Sequence, residues 1–365
     1  MSQAIDGLAS EELLRRVIAV TTTTDMEALL ATLPIVSEND SSFDATRAAD
    51  TWNPGHLHWM PVGGDRGNAG RIKLANHPVN PLAERIVNGM EALIELHRTR
   101  ELNLNSHAAP PESPRAAVGR YFGLPALDQI PKIEDKAERA RLWGIAREIA
   151  RGLRLKLSTV RIKGQPSFTI MIEDDGIGQS ADMVHRTLLS LGSTTKGDKP
   201  YMIGLFGQGG SSAFSISRYS WVLSRRAPEA LGDRKDGLGW SVIKQVFPRG
   251  RRDDYFAYLA GAPDGRVLAF EAAAADAVGM AHGTRFAHIG CDFQGVGGSS
   301  VTRNLFPALN HVLFNPMLPY ELYAGRDTAD PMWGNAYRLS NVKLRNSTAA
   351  VSLDKTFPPQ QVTTR

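Results

Sequence analysis

In the stretch Glu84-Arg85-Ile86-Val87-Asn88-Gly89-Met90-Glu91-Ala92, three polar residues stand at i, i+4 and i+7: Glu84, Asn88 and Glu91. On a helix that spacing projects all three from one face. Two carboxylates and an amide together can order a water, ligate a hard cation or accept from a polar ligand. Ile86, Val87, Met90 and Leu93 fill the remaining positions and can face a core. An ordinary amphipathic helix shows the same division, so this segment alone does not separate chemistry from solvation.

A second segment, Ile170-Met171-Ile172-Glu173-Asp174-Asp175-Gly176-Ile177-Gly178, reads as a buried strand that ends in acids and enters a turn. Gly176 and Gly178 would let backbone approach a flat ligand with no Cβ between. A carboxylate at that edge can accept from an amino group such as the exocyclic amine of adenine. A cation-binding acidic loop or a plain turn would leave the same trace.

The third segment is Gly204-Leu205-Phe206-Gly207-Gln208-Gly209-Gly210-Ser211-Ser212, preceded by Ser193-Thr194-Thr195-Lys196. Glycines that open a helix offer bare amides to an anion. A dinucleotide fold would need a βαβ unit and an acid about 20 positions on. Arg218, Arg225 and Arg226 stand there instead, and no Lys-Ser/Thr pair follows the glycines as in a P-loop. The fourth segment, His282-Gly283-Thr284-Arg285-Phe286, is a turn into a late strand.

These segments need elements to hold them. Apolar spacing predicts helices over residues 10–33 (broken at Thr21–Thr24), 80–98 with Pro81 at its first position, 134–152, 180–191, 213–217 and 302–314. Residues 37–57 and the proline-rich 103–116 read as loops. Strands are expected at 155–162 and 168–173 around a Gly-Gln-Pro turn, then at 219–224, 239–247, 254–260 and 266–272 as an antiparallel meander, with one more at 284–289.

Composition sets the outer limits. Of 365 residues, 42% are hydrophobic and 22% charged, enough for a sizeable core and too few charges for wholesale disorder. The formal net charge of +4 permits contact with nucleic acid without arguing for it. The basic cluster Arg249-Gly250-Arg251-Arg252 is followed at once by Asp253 and Asp254, as at a solvated hairpin tip. Cys291 is the single cysteine, which rules out an internal disulfide and a cysteine-based zinc site and suits a reducing cytoplasmic setting. No apolar stretch approaches the roughly 18 residues needed to cross a bilayer.

Taken in order, the four segments resemble the signature of the GHKL ATPases, the group of the gyrase ATPase subunit, HtpG-type chaperones, MutL, MORC proteins and histidine kinases. The run from Ile203 to Gly209 and on through Ser212-Ala213-Phe214 is most like the chaperone and MORC versions. The resemblance covers residues 60–290 or so. It implies an α+β fold of the Bergerat type: a two-layer sandwich with a mixed, mostly antiparallel sheet and helices on one face. Residues 59–290 would form the ATP-binding domain, 1–58 a helical extension and linker, and 291–365 a C-terminal extension that could begin a further domain.

The same resemblance implies roles. Glu84 would be the general base for the attacking water, and Asn88 would ligate Mg²⁺. Glu91 would add a contact to the nucleotide or hold the pocket through a water; it stands where many members carry Asp, and Gly89 where many carry Ala. Asp174 would accept from the adenine amine, with Gly176 and Gly178 packing by the base and Thr284 supporting the contact through a water; Asp175 would stand aside. Gly204, Gly207 and Gly209 would wrap the phosphates, while 193–199 would form a lid carrying Lys196. A charge to the γ-phosphate is expected from a further domain, with Lys343, Arg345 and Lys355 as tail candidates. ATP and Mg²⁺ would be the ligands and a homodimer the closed state, with DNA or a protein client as partner and the cytoplasm as location. The rival readings are a histidine or serine kinase on the same fold and a nucleotide-binding regulator without turnover.

Overall fold

The computed structural model describes residues 8–36, 42–44, 47, 50–73, 77–192, 199–203, 209–248, 253–296 and 301–341. The larger helices are α1 (Glu11–Ala19), α2 (Thr23–Ala31), α3 (Val79–Leu104), α4 (Pro114–Phe122), α5 (Lys136–Arg151), α6 (Ala272–Ala277), α7 (Val301–Val312) and α8 (Gly334–Asn341). The strands are β1 (His58–Pro61), β2 (Leu153–Ile162), β3 (Gln165–Asp174), β4 (Tyr219–Arg225), β5 (Gly237–Val246), β6 (Tyr255–Ala260), β7 (Leu268–Glu271), β8 (Gly283–Cys291), β9 (Tyr320–Ala324) and β10 (Asp330–Met332).

The strands build one sheet in the order β1-β6-β5-β4-β8-β3-β2-β9-β10. Strand β7 pairs with the first half of β5, and β6 with its second half, so the expected meander folds back on β5. Every pairing is antiparallel except β2 with β9. Residues 320–332, which the sequence placed in an extension, thus lengthen the same sheet. The β2–β3 hairpin turns on Lys163 and Gly164, both at positive φ (49° and 81°), as a two-residue hairpin loop of type I′ requires. Gln165 and Pro166, expected in the turn, already belong to β3.

Alternation along the strands separates two apolar faces. Ile170 and Ile172 of β3 point one way, and Val222 and Phe286 share that side; Leu82, Ile86, Met90 and Leu93 of α3 and Ala146 of α5 pack over it. Burying a side chain such as Ile86 is worth about 1.5–3 kcal/mol, so this stripe docks α3 firmly. The opposite side presents Trp221, Leu223, Trp240, Val242, Ala287 and Ile289. The α+β sandwich and its mostly antiparallel sheet are as expected, with the long helices on one face. The other face carries a thinner layer: Leu14 and Val17 of α1, Met26 of α2 and Ala275 of α6 close it.

Some elements differ from expectation for local reasons. Helix α3 begins at Val79, which puts Pro81 third, where its missing N–H still costs no hydrogen bond. Helix α4 is not expected from the sequence: its first three residues fall in the stretch 103–116, which reads as a loop. Ser113 caps it by accepting from the Ala116 amide, Pro114 is its first residue, and Gly123 at φ 65° ends it. The helix expected over 180–191 is only a turn of α-helix, Val184–Thr187, and that over 213–217 is a 3₁₀ segment from Gly209 to Ile216.

Candidate functional site

Helix α3 and the acid turn after β3 are brought into contact by two glycines. A Cβ on Gly89 would stand 2.5 Å from Leu153 Cδ1 and 3.4 Å from Asp174 Cβ, so the bare residue lets α3 settle against the end of β3. One turn further, the Ile177 amide donates to the Ala92 carbonyl at 3.0 Å. Gly176 has no room for a side chain there, since its Cβ would meet Ala92 Cβ at 2.5 Å.

The turn is then locked to β8 and β4. Asp174 and Thr284 are register partners across β3 and β8. Gly178 (φ 60°) and Gly283 (φ 99°) press backbone on backbone: a Cβ on the first would lie 1.9 Å from the Arg225 carbonyl oxygen, and on the second 2.0 Å from that of Asp174. Arg226 Nη1 donates to the Gly178 carbonyl at 2.9 Å. His282 Nδ1 lies 2.8 Å from the Gly176 carbonyl, which fixes the ring proton on Nδ1.

Asp174 is half-buried, and its Oδ1 accepts from the Gly176 amide at 3.0 Å. Desolvation is the largest influence on its carboxyl and pushes the pKa up to about 7; the negative charge of Asp175 adds to this, while the Gly176 and Thr284 amides pull it back. Thr284 is buried, its hydroxyl 3.0 Å from that of Ser224. Ser224 accepts from the Gln179 amide at 2.9 Å and reaches the Gly283 carbonyl at 3.2 Å. Its one proton given to that carbonyl makes Ser224 the acceptor of the Thr284 hydroxyl, which leaves Thr284 Oγ1 free to accept. Asp175 is otherwise engaged: exposed, it takes a two-pronged pair from Arg154 at 2.8 and 2.9 Å. The two adjacent acids thus have different surroundings.

The polar face of α3 runs away from this turn. Glu84 is exposed and, among the described residues, bonded to none. Asn88 is half-buried, its Nδ2 only 2.9 Å from where a Cβ of Gly210 would be. The end of the glycine-rich segment therefore rests on Asn88. Glu91 is 2% exposed and its Oε1 accepts from the Ile203 amide at 2.6 Å, so it holds the chain at Ile203. Glu95, one turn on, pairs with Lys199 and accepts from the Tyr201 hydroxyl at 3.1 Å. Gly209 opens the 3₁₀ segment. Gly204, Gly207, Lys196, the basic cluster at 249–252 and the tail cations Lys343, Arg345 and Lys355 lie outside the described residues.

Two residues in this region escaped the sequence reading. Ser224 is one, a polar residue inside the apolar run Trp221-Val222-Leu223. The other is Arg85, which follows Glu84 but points to the core; a guanidinium at a core-facing helical position was the signal. It is 6% exposed, and its carbon Cζ lies 3.6 Å from the Phe286 ring centroid and 4.9 Å from that of Phe214.

A cavity of about 580 Å³ lies elsewhere, between the start of α3 and α7, with His77, Asn80, Asn304 and His311 in its wall. It does not reach Asp174, and neither acids nor close-packed glycines converge on it. We place the candidate site at the Asp174 turn, where they do. Among the described residues no group of three or more His, Cys, Asp or Glu could hold a metal ion, and no helix is long and apolar enough to cross a membrane. No protein-family model matches the sequence, and no curated protein shows significant similarity to it.

Proposed function

We propose that this chain binds ATP with Mg²⁺ and hydrolyses it slowly, as a GHKL-type ATPase. One observation carries the reading. Four segments scattered over 200 residues of sequence meet around α3: Gly89 and Ala92 against Asp174 and Gly176, Asp174 against Thr284, and Asn88 against Gly210. Core packing alone would bring α3 to the sheet; what favours a site is that the polar and glycine residues of all four segments lie on the same contacts.

In this reading the Asp174 carboxylate accepts from the exocyclic amine of adenine, and the Thr284 hydroxyl, held by Ser224, supports it. Gly176 and Gly178 keep the turn thin enough for a base to lie against it. Asn88 would hold Mg²⁺, which when bound supplies cationic screening of the phosphates. Glu84, exposed and bonded to no other described residue, would orient a water as general base. Nucleotide-driven closure would join two chains in the cytoplasm, acting on DNA or a protein client.

Isothermal titration with a non-hydrolysable ATP analogue and Mg²⁺ tests the binding. Saturable binding that Asp174→Asn abolishes is expected, and no binding by the wild type would end the proposal. Phosphate release by the wild type but not by Glu84→Ala is expected in turnover assays; equal release by both would remove Glu84 from the chemistry.

A further inference from the structure

Among the described residues, the Arg85 guanidinium is a buried cation without an anion. Its Nε and Nη2 are buried and have no hydrogen-bond partner there, and no described acid forms an ion pair with it. The Phe286 ring at 3.6 Å and the Phe214 ring at 4.9 Å flank it. The neighbouring His288 is also buried, with Nδ1 on the Ser220 hydroxyl at 2.8 Å and Nε2 bare. Burial, aided by the charge of Arg85, holds His288 well below the usual imidazole range, so it stays neutral and adds no second positive charge beside Arg85. Burial also draws the Arg85 guanidinium down to about 9, which still leaves it charged at neutral pH.

Leaving a charge buried without a counter-ion is costly, and the two cation–π contacts offset only part of that cost. The remainder is offset only when an anion arrives. The position says which anion. Arg85 is three residues before Asn88 on the same helix, and both side chains abut Gly210: Nη1 at 3.3 Å and Asn88 Nδ2 at 2.9 Å from its notional Cβ. The cation therefore lies under the end of the glycine-rich segment, beside the residue assigned to Mg²⁺.

We infer that Arg85 is the chain's own partner for the polyphosphate of the nucleotide, a cation stored between Phe214 and Phe286 that pairs with a phosphoryl oxygen held at Gly210 and Asn88. This rests on the ATP-binding reading above. It also means that part of the phosphate charge is met from within α3 and not only by a residue from a further domain.

The test compares adenosine, Mg²⁺-ADP and a Mg²⁺-bound non-hydrolysable ATP analogue by titration against wild type, Arg85→Met and Arg85→Lys, with Mg²⁺-tripolyphosphate as a probe lacking adenine. A charge-assisted hydrogen bond is worth 10- to 100-fold in affinity or so. Arg85→Met should lose roughly that factor for the ATP analogue while adenosine binds unchanged, with Arg85→Lys in between. Its thermal midpoint without ligand should be no lower than the wild type's, because an apolar side chain replaces an unpaired charge. If Arg85→Met weakens adenosine and the analogue equally, or neither, Arg85 is only a packing group and the inference falls while the ATP reading stands. If the wild type binds no adenine ligand, the ATP reading fails; tripolyphosphate binding that Arg85→Met abolishes would still uphold the anion role, and binding that it spares would overturn it. Should Arg85→Met not fold, Arg85→Lys decides: several-fold weaker binding of the analogue with adenosine unchanged supports the inference, and unchanged ratios overturn it.

Discussion

The amide of Ile203 donates to Oε1 of Glu91 at 2.6 Å, which ties the chain entering the glycine-rich run to the middle of α3. Glu95 repeats the device one turn later on Lys199 and Tyr201. Two carboxylates of α3 thus act as mooring points for residues 199–203. The extra methylene of Glu91, relative to an aspartate, is what lets it reach that backbone.

Removing the first mooring should loosen this segment. Glu91→Ala leaves a part-buried amide without its charged acceptor and should cost about 1.5–3 kcal/mol in urea unfolding. Glu91→Gln keeps an acceptor and should cost less. Equal losses from the two substitutions would mean that the bond to Ile203 contributes little.

Asp174 predicts a pH dependence with a definite sign. Its folded pKa of about 7 lies above the unfolded value of about 3.9. The folded chain binds the proton more tightly, so this contribution is full below pH 4 and is lost as pH rises through 7. Asp174→Asn abolishes that loss. Unfolding curves from pH 4 to 8 should show the variant gaining on the wild type by up to about 4 kcal/mol, and parallel curves would refute it. Nucleotide affinity should run the other way in the wild type, rising with pH through 7 as the accepting carboxylate forms.

The glycines of the site allow a matched comparison. Gly178 and Gly164 both have positive φ, but a Cβ on Gly178 would meet the Arg225 carbonyl at 1.9 Å, whereas Gly164 has nothing within 4 Å. Gly164→Ala should cost about 1 kcal/mol, from backbone strain alone. Gly178→Ala adds a backbone clash that forces β4 from β8 and should cost about 3 kcal/mol or more in thermal unfolding. Similar midpoints for the two variants would mean that the β4 contact is soft.

Local pattern carried much of this fold into the sequence. The face of α3, the β2–β3 hairpin and strands β4 to β6 follow from periodicity and turn residues over short spans. What stayed hidden depends on partners far along the chain. Nothing near Leu268 says that β7 returns to β5, and nothing near Tyr320 says that β9 joins β2 in parallel. At the candidate site, the need for glycine at 176 and 178 was legible because close backbone approach demands it, whereas Asp174 and Thr284 were singled out through the order of the four segments. Ser224 and Arg85 were not, because each reads as a strand or helix residue until the sheet register places it beside Thr284 or Phe286.

The two adjacent acids give the last prediction. Asp175 is 50% exposed on its side chain and shares Arg154 with Glu173, so its ion pair is screened and partly redundant. Asp175→Asn should therefore cost less than about 1 kcal/mol, and the cost should shrink as salt is raised. Nucleotide affinity, measured by the same titration, should stay at the wild-type value, whereas Asp174→Asn abolishes binding. The contrast needs no knowledge of client or partner. At pH 8, where Asp174 is mostly ionised, both substitutions remove negative charge at neighbouring positions, so a general electrostatic effect would move the two variants together. Only a specific contact at the buried edge of β3 separates them. Loss of binding in Asp175→Asn with retention in Asp174→Asn would reverse the assignment and shift the base-recognising acid onto the Arg154 side of the turn.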